Sequence, residues 1–433
     1  MLPSFRLIRV DCRGAFGTFL ALIVGACVYL FALSLPSTAQ DQPLLHYSIV
    51  GSSSCSTKPC FNGVMANLRV QQSLLKLAHE PLRAESLETA LKGSGISARD
   101  LVSLRLIRLE GNQYFLNFPL FTADDVKQIR SVAERYAGSL ADAVLAHRTE
   151  IDSALKMYDA PGVDGKAVAY FVLGCASLDW DGLNITAAKG YRKETEDRPD
   201  GKYVPDAEEI TTQSLDRIYW GSHNDGYDGI TVTSFGDHAS KRYSLPDLLW
   251  QLPERASTQN YPEDLQPAIQ GLVKASITQT GTTLAHMMIS LRETDKSAAE
   301  LAQSTGLQQG QAEQFIGLLL ALQLVSERNG RYIALVPVLT KRDEVMTKRL
   351  LGIGSHVMND WLPQNYPKMK SELQSLSFTR SGVPFEDGFT MIWHYLFGIA
   401  NRHLVEAGLF ADPYAPDRKY KGSITVVSEL DLP

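Results

Sequence analysis

No His-Glu-x-x-His pair, no phosphate-binding loop and no Gly-x-Ser-x-Gly elbow occurs in the chain, so the commonest signatures of zinc proteases, nucleotide enzymes and serine hydrolases are missing. Cysteine is scarce, with five in 433 residues, which excludes a disulfide-dense scaffold. An excess of positive charge is also lacking. Forty-two Lys and Arg stand against 48 Asp and Glu, a formal net charge of -6, and nucleic-acid affinity rests largely on cations that displace counterions from phosphates. Apolar residues are not lacking: at 44% hydrophobic the chain is globular in composition and long enough for two or three cores.

Arg6, Arg9 and Arg13 precede an uncharged apolar run from Ala15 to Leu35. At about 1.5 Å per residue that run reaches about 30 Å, enough to cross a bilayer. Ser37-Thr38-Ala39 offers small residues for cleavage after Ala39. Residues 1–39 are therefore expected to be a signal peptide or signal anchor, which leaves the rest outside the cytoplasm. Residues 40–60, rich in Ser, Pro and Gly, are expected to be a linker. Cys55 and Cys60 within it are positioned to close a small disulfide loop in an oxidising compartment. Two cysteines without a nearby histidine pair make no closed zinc site.

From Phe61 the apolar spacing predicts a helix to Glu80, stopped by Pro81, then a helix over Glu85–Lys92 and a third starting at Ser97. Gly111-Asn112 separates two apolar-rich pieces and predicts a hairpin. Pro119, Thr122 and Asp125 follow, and a long helix begins near Ala123. The same punctuation returns later: helices over Thr282–Leu291, Ser297–Ser304 and Gln308–Leu322, a turn at Asn329-Gly330, then Pro337, Thr340 and Asp343 ahead of a helix from Lys341. Further on, Tyr170 to Gly174 compares with Tyr395 to Gly398. The expected fold is α+β, a tandem duplication in which each copy is followed by a helix-rich part with a small sheet. The expected boundaries are 61–158 and 263–373 for the two copies with their following helices, 159–262 for a small α+β part, and 374–433 for a C-terminal helical part.

Three helices followed by a hairpin is a winged-helix order, and Ala299 to Leu335 resembles the winged helix-turn-helix superfamily. Glu300-Leu301-Ala302, Gly306-Leu307, Leu319 to Val325 and Asn329-Gly330-Arg331-Tyr332 carry the resemblance. It implies a third helix, Gln308 to Leu322, that reads bases in the DNA major groove. The residues argue otherwise, because Ser297 to Val325 contains no Lys or Arg and the second half of the helix is apolar on most sides. The first copy holds the nucleic-acid candidates Arg99, Arg105 and Arg108.

For a small ligand or a metal, the candidates are Trp220, His223, Asp237 and His238, which flank glycines beside two expected strands, Ile218–Gly221 and Ile230–Phe235, with Asn224–Gly229 as the loop between them. Asp179 and Asp181 flank Trp180 and are expected to serve the start of a helix over Leu183–Tyr191. His394 and His403 lie on one expected helix, too far round it to share an ion. Asn184-Ile185-Thr186 has the form of a glycosylation acceptor. The functional expectation is a non-enzymatic exported or membrane-anchored protein whose winged helices contact protein partners. The alternatives are a DNA-binding regulator of the winged-helix type, whose leader would be an anchor or the product of a mis-set start, the protein being cytoplasmic in the latter case, and a small-molecule or metal-binding protein. No cofactor is specified.

Overall fold

The structure, a computed structural model, describes residues 43–56, 58–210, 217–238, 244–246, 248, 262–270 and 277–433. The apolar leader lies outside the described residues; among those described, no helix is long and apolar enough to cross a membrane. Leu44–Pro433 belong to one unit, a mixed α+β arrangement with several small sheets.

Two stretches share one order of elements. In the first, α1 (Phe61–Met65) and α2 (Leu68–His79) replace the single expected helix, because the Asn67 side chain accepts from the Arg69 and Val70 N–H groups and starts a new helix there. The helices α3 (Ala84–Leu91) and α4 (Ala98–Ser103) follow, the latter opened by a Ser97/Asp100 capping box. Strands β3 (Ile107–Glu110) and β4 (Gln113–Leu116) form the hairpin, and β2 (Leu82–Arg83) adds to β4. In the second stretch come α10 (Ile277–Ser290), α11 (Ala298–Thr305), α12 (Gln309–Ala321) and the hairpin β10 (Val325–Arg328) with β11 (Arg331–Ala334). A Lys296–Tyr332 bridge sits where Leu82 pairs with Tyr114. Arg105 and Gln323 take the same left-handed turn at φ 55° and 56°, and the next residue in each donates its N–H to Leu101 O and Leu319 O at 2.9 Å. On α12, Ala312, Phe315, Ile316, Leu318 and Leu319 are buried, while Gln309, Gln311, Glu313 and Gln314 face solvent.

The correspondence continues beyond the hairpins. After β5 (Leu120–Phe121), a Thr122/Asp125 capping box opens α5 (Ala123–Leu145), which α6 (Arg148–Leu155) follows. After β12 (Val338–Leu339), a Thr340/Asp343 box opens a short 3₁₀ turn and then α13 (Glu344–Glu372). In one sheet β7 (Gly201–Glu209) lies between β5, parallel to it, and β1 (Leu45–Ser53), antiparallel, with β6 (Glu196–Arg198) also on β7. In the other, β13 (Ser423–Ser428) lies between β12, parallel, and β9 (Ile230–Gly236), antiparallel, with β8 (Gly221–Tyr227) at the edge. Glu209 Oε2 accepts from Ala123 N–H at 2.7 Å, and Glu429 Oε1 accepts from Lys341 N–H at 2.9 Å. Each sheet thus supplies a carboxylate to the N-terminus of the long helix beside it, where the helix dipole favours negative charge.

Further expectations change: residues 218–220 are not strand, β8 beginning only at Gly221. Residues 40–60 are not wholly a linker, because β1 pairs along its length with β7. Asn224–Gly229 is not all loop: β8 runs to Tyr227, and only Asp228-Gly229 turns, at φ 52° and 79°, the positive pair that a tight two-residue hairpin requires. Asp179 and Asp181 do not start a helix. The chain runs without a break from α7 (Gly165–Ala169) through a π-helical stretch (Tyr170–Asp181) into α8 (Gly182–Ala188).

These long helices cross between the two halves. The helix α15 (Phe385–Glu406), reached through the short α14 (Ser377–Arg380), packs along α5, and the π-helical stretch packs along α13. Arg402 binds Glu134 across the first contact at 2.8 Å. Across the second, Gly354 leaves room for Ser177, whose Oγ would lie 2.0 Å from any added Cβ. Trp393 Nε1 donates to Leu178 O at 2.9 Å, and Asn401 Nδ2 donates to Gly174 O and Tyr219 O. The short α9 (Gln266–Gln270) belongs with α12 in the core beneath the second hairpin.

Candidate functional site

Strand alternation places Asp206 and Glu208 of β7 on one face, and the β1–β7 register sets His46 opposite Glu208. Both carboxyls are buried. Glu208 Oε2 accepts from the Tyr395 hydroxyl of α15 at 2.8 Å. Burial pushes the Glu208 carboxyl up to about 8 against the opposing pull of that hydrogen bond, and Asp206 adds to the rise. Burial likewise raises Asp206 to about 6, although Ser48 Oγ donates to it at 2.6 Å. His46 Nδ1 stands 3.6 Å from Glu208 Oε1, beyond hydrogen-bond length. Burial holds the His46 pKa below its ordinary value, so the ring is neutral near pH 7.

From His46 the cluster extends outward. His46 Nε2 meets His238 Nε2 at 3.0 Å, a contact that needs one ring to donate and the other to accept. The His238 ring stacks on Trp220 at 4.0 Å and 7°, and His394 of α15 lies 4.3 Å from the same indole at 39°. His394 Nε2 is 3.6 Å from Asp179 Oδ1 on the π-helical stretch, and burial raises the Asp179 carboxyl. Ser222 Oγ donates to Asp179 Oδ2 at 3.5 Å. Three imidazoles, three buried carboxyls and an indole therefore share one polar layer. His46 Nδ1, Glu208 Oε1, Trp220 Nε1 and His394 Nδ1 are buried without a hydrogen-bond partner, and each such group costs about 1–3 kcal/mol.

The other sheet shows that its topology does not require these groups. Phe121 pairs with Glu208 where Leu339 pairs with Ser428, and His46 faces Glu208 where Thr231 faces Ser428. Val426 stands in the position of Asp206. The same strand order is thus built elsewhere in the molecule without a buried carboxyl or imidazole at these positions. What the polar layer can do is hold protons: burial raises its three carboxyls, and imidazoles stand 3.6 Å from two of them.

Of the residues singled out in the sequence, Trp220 and His238 enter this layer and His223 does not. His223 is exposed on β8 opposite Ser234, while Asp237 lies just past the end of the partner strand β9. Asp237 accepts from Arg217 N–H at 3.2 Å and from the Tyr414 hydroxyl at 2.5 Å. No group of three or more His, Cys, Asp or Glu with metal-holding geometry occurs among the described residues. Cys55 and Cys60 are joined by a disulfide. Arg99 is exposed on α4. Arg105 approaches Glu196 at 3.7 Å, and Arg108 binds Glu110 at 2.6 Å, Leu116 O and Ser381 O. Sequence reasoning missed His46, Asp206, Glu208 and Tyr395. The available signal was the spacing of Asp206 and Glu208 two apart in a strand-like run, which places both on one face.

No family model, no curated protein and no solved structure matches the chain.

Proposed function

We propose that the chain is a non-enzymatic exported or membrane-anchored protein, a tandem duplication of a winged-helix unit whose domains make protein contacts. The repeated order of helices, hairpin, capping box and three-strand pairing supports the duplication. The observation that carries the protein-contact reading is the fate of the cations: Arg105 and Arg108 are engaged within the molecule, and α12 presents Gln309, Gln311, Glu313 and Gln314 to solvent with no Lys or Arg. A face of that kind gains little from phosphates and suits a polar protein surface. The Cys55–Cys60 bridge fits an oxidising compartment, as does the charged, apolar leader. Fractionation of cells that express the full chain tests the location, and recovery of the mature protein in the cytoplasm with reduced Cys55 and Cys60 refutes it. Salt-dependent binding to duplex DNA would instead favour the regulator reading.

A second reading, a small-molecule-binding protein, is favoured by the buried polar layer around Trp220 with its unpartnered atoms. Replacing Trp220 by Phe removes one of those donors and keeps the stacking face. A ligand of this layer would then lose affinity, and an unchanged affinity refutes the reading.

A further inference from the structure

A cleft of about 580 Å³ opens beside α7, the segment after α12 and the loop that leads into β13. Its volume lies in the range of small-ligand sites. Among the described residues two cations line it, Arg418 and Lys166. The Arg418 guanidinium is half-buried, and its Nε donates to Asp412 O at 3.1 Å. Neither Arg418 nor Lys166 forms an ion pair among the described residues. Burial pulls the Arg418 pKa below its ordinary value, while nearby Asp417, Asp412 and Asp164 pull it back up without reaching it. A guanidinium removed from water is costly, the nearby aspartates offset that cost only in part, and an incoming carboxylate would offset more of it with paired charge-assisted hydrogen bonds.

The aspartates decide what kind of anion fits. Asp164, Asp412 and Asp417 all line the cleft, so a dianion such as phosphate meets repulsion, and a plain cation meets Arg418 and Lys166. Asp164 Oδ1 accepts from the Lys166 N–H, and Asp412 Oδ1 accepts from the Tyr414 N–H. Asp417 is exposed and has no ion-pair partner among the described residues. Phe410 and Leu335 supply an apolar wall. Charges of both signs that line one cleft without closing into a direct ion pair among the described residues match a molecule that carries both.

We propose that this cleft binds a small zwitterion, an α-amino acid or short peptide with an apolar side chain. Its carboxylate meets Arg418 and Lys166, its ammonium meets Asp164 and Asp417, and its side chain lies on Phe410 and Leu335. This is separate from the protein-contact reading: the second hairpin unit lends Leu335 to the cleft wall, but neither the solvent face of α12 nor a protein partner has to act for it to hold.

Titration calorimetry on the full chain tests it with three probes: L-leucine, isocaproate, which lacks the ammonium, and isoamylamine, which lacks the carboxylate. L-leucine is expected to bind saturably and at least tenfold more tightly than either analogue, as the loss of one charge-assisted contact implies. Lys166→Gln is expected to weaken L-leucine and isocaproate but not isoamylamine, and Asp417→Asn to weaken L-leucine and isoamylamine but not isocaproate. Both residues are exposed, so these variants keep the fold, whereas Arg418→Gln removes a half-buried group and is used only if its circular dichroism matches the parent. Absence of saturable L-leucine binding, isocaproate binding equal to that of L-leucine, or unchanged affinity in both exposed variants overturns the proposal.

Discussion

Replacing Glu208 by Gln should abolish a pH dependence of stability that the buried carboxyl imposes. Glu208 is fully buried, and its carboxyl is raised from the ordinary 4.5 to about 8. An acid whose folded pKa is raised keeps its proton in the folded state while the unfolded chain gives it up. The fold is therefore most favoured below about pH 4.5 and loses stability as pH rises to about 8. In the window from about pH 7 to about pH 9 Asp206, raised to about 6, has already ionised and His46, lowered by burial, is already neutral, while the buried Asp179, also raised, is common to parent and variant, so the difference between the two reports Glu208. Across that window one proton difference at about 1.4 kcal/mol per pH unit, fading above the folded pKa, gives a loss of about 1.4 kcal/mol. Glutamine keeps an oxygen for the Tyr395 hydroxyl and cannot ionise. Urea denaturation at several pH values in this window should show the parent losing that amount and Glu208→Gln losing none of it. Calorimetric unfolding in buffers of different ionisation heat, near pH 7, should show about one proton fewer released by the variant. If parent and variant fall in parallel with equal proton release, Glu208 is ionised in the folded protein and the reasoning about its burial is wrong.

Arg292 and Asp343 form a buried, two-pronged ion pair at 2.6 and 3.2 Å; Arg292→Leu strands the carboxylate and should cost about 3–5 kcal/mol in chemical denaturation, whereas a loss below about 1 kcal/mol would mean that water reaches Asp343. Gly354→Ala drives a Cβ into Ser177 Oγ and should cost about 1–3 kcal/mol, most of it recovered in the double variant with Ser177→Gly. Failure of the second change to restore stability would place the strain elsewhere. A protein with Arg99→Gln, Arg105→Gln and Arg108→Gln together should show the same weak, salt-insensitive behaviour towards duplex DNA as the parent; a parent that binds at low salt and loses that binding in the triple variant would favour the nucleic-acid reading.

Much of the local punctuation was legible because it is local chemistry. Ser97, Thr122, Ser297 and Thr340 each open a helix with an acidic partner three residues on, and Gly111-Asn112 and Asn329-Gly330 turn the hairpins. The strand β1 escaped because Ser and Gly dominate its C-terminal half, and it becomes a strand only through pairing with β7, more than a hundred residues away. The π-helical stretch escaped for a different reason. Ala167 to Ala176 is apolar at every position bar Gly174, so no period stands out, and the side chains of Asn401 and Trp393 that reach its carbonyls come from the far end of the chain. The polar layer was half visible. Trp220 and His238 were singled out for their neighbours in sequence, but what makes them notable is contact with His46 and His394, which no local pattern connects.

The crossed helix contacts have a consequence for how the chain is made. The face of α5 that α15 covers, and the face of the π-helical stretch that α13 covers, are finished in the first half of synthesis and must wait for helices encoded roughly 200 residues later, about 10–40 s at common elongation rates. During that interval the nascent first half carries an apolar surface that matches the second half of any other copy as well as its own. Two halves expressed as separate chains should therefore find each other, and two intact chains refolded at high concentration should exchange halves, so that a fraction of the protein is recovered as an interlocked pair.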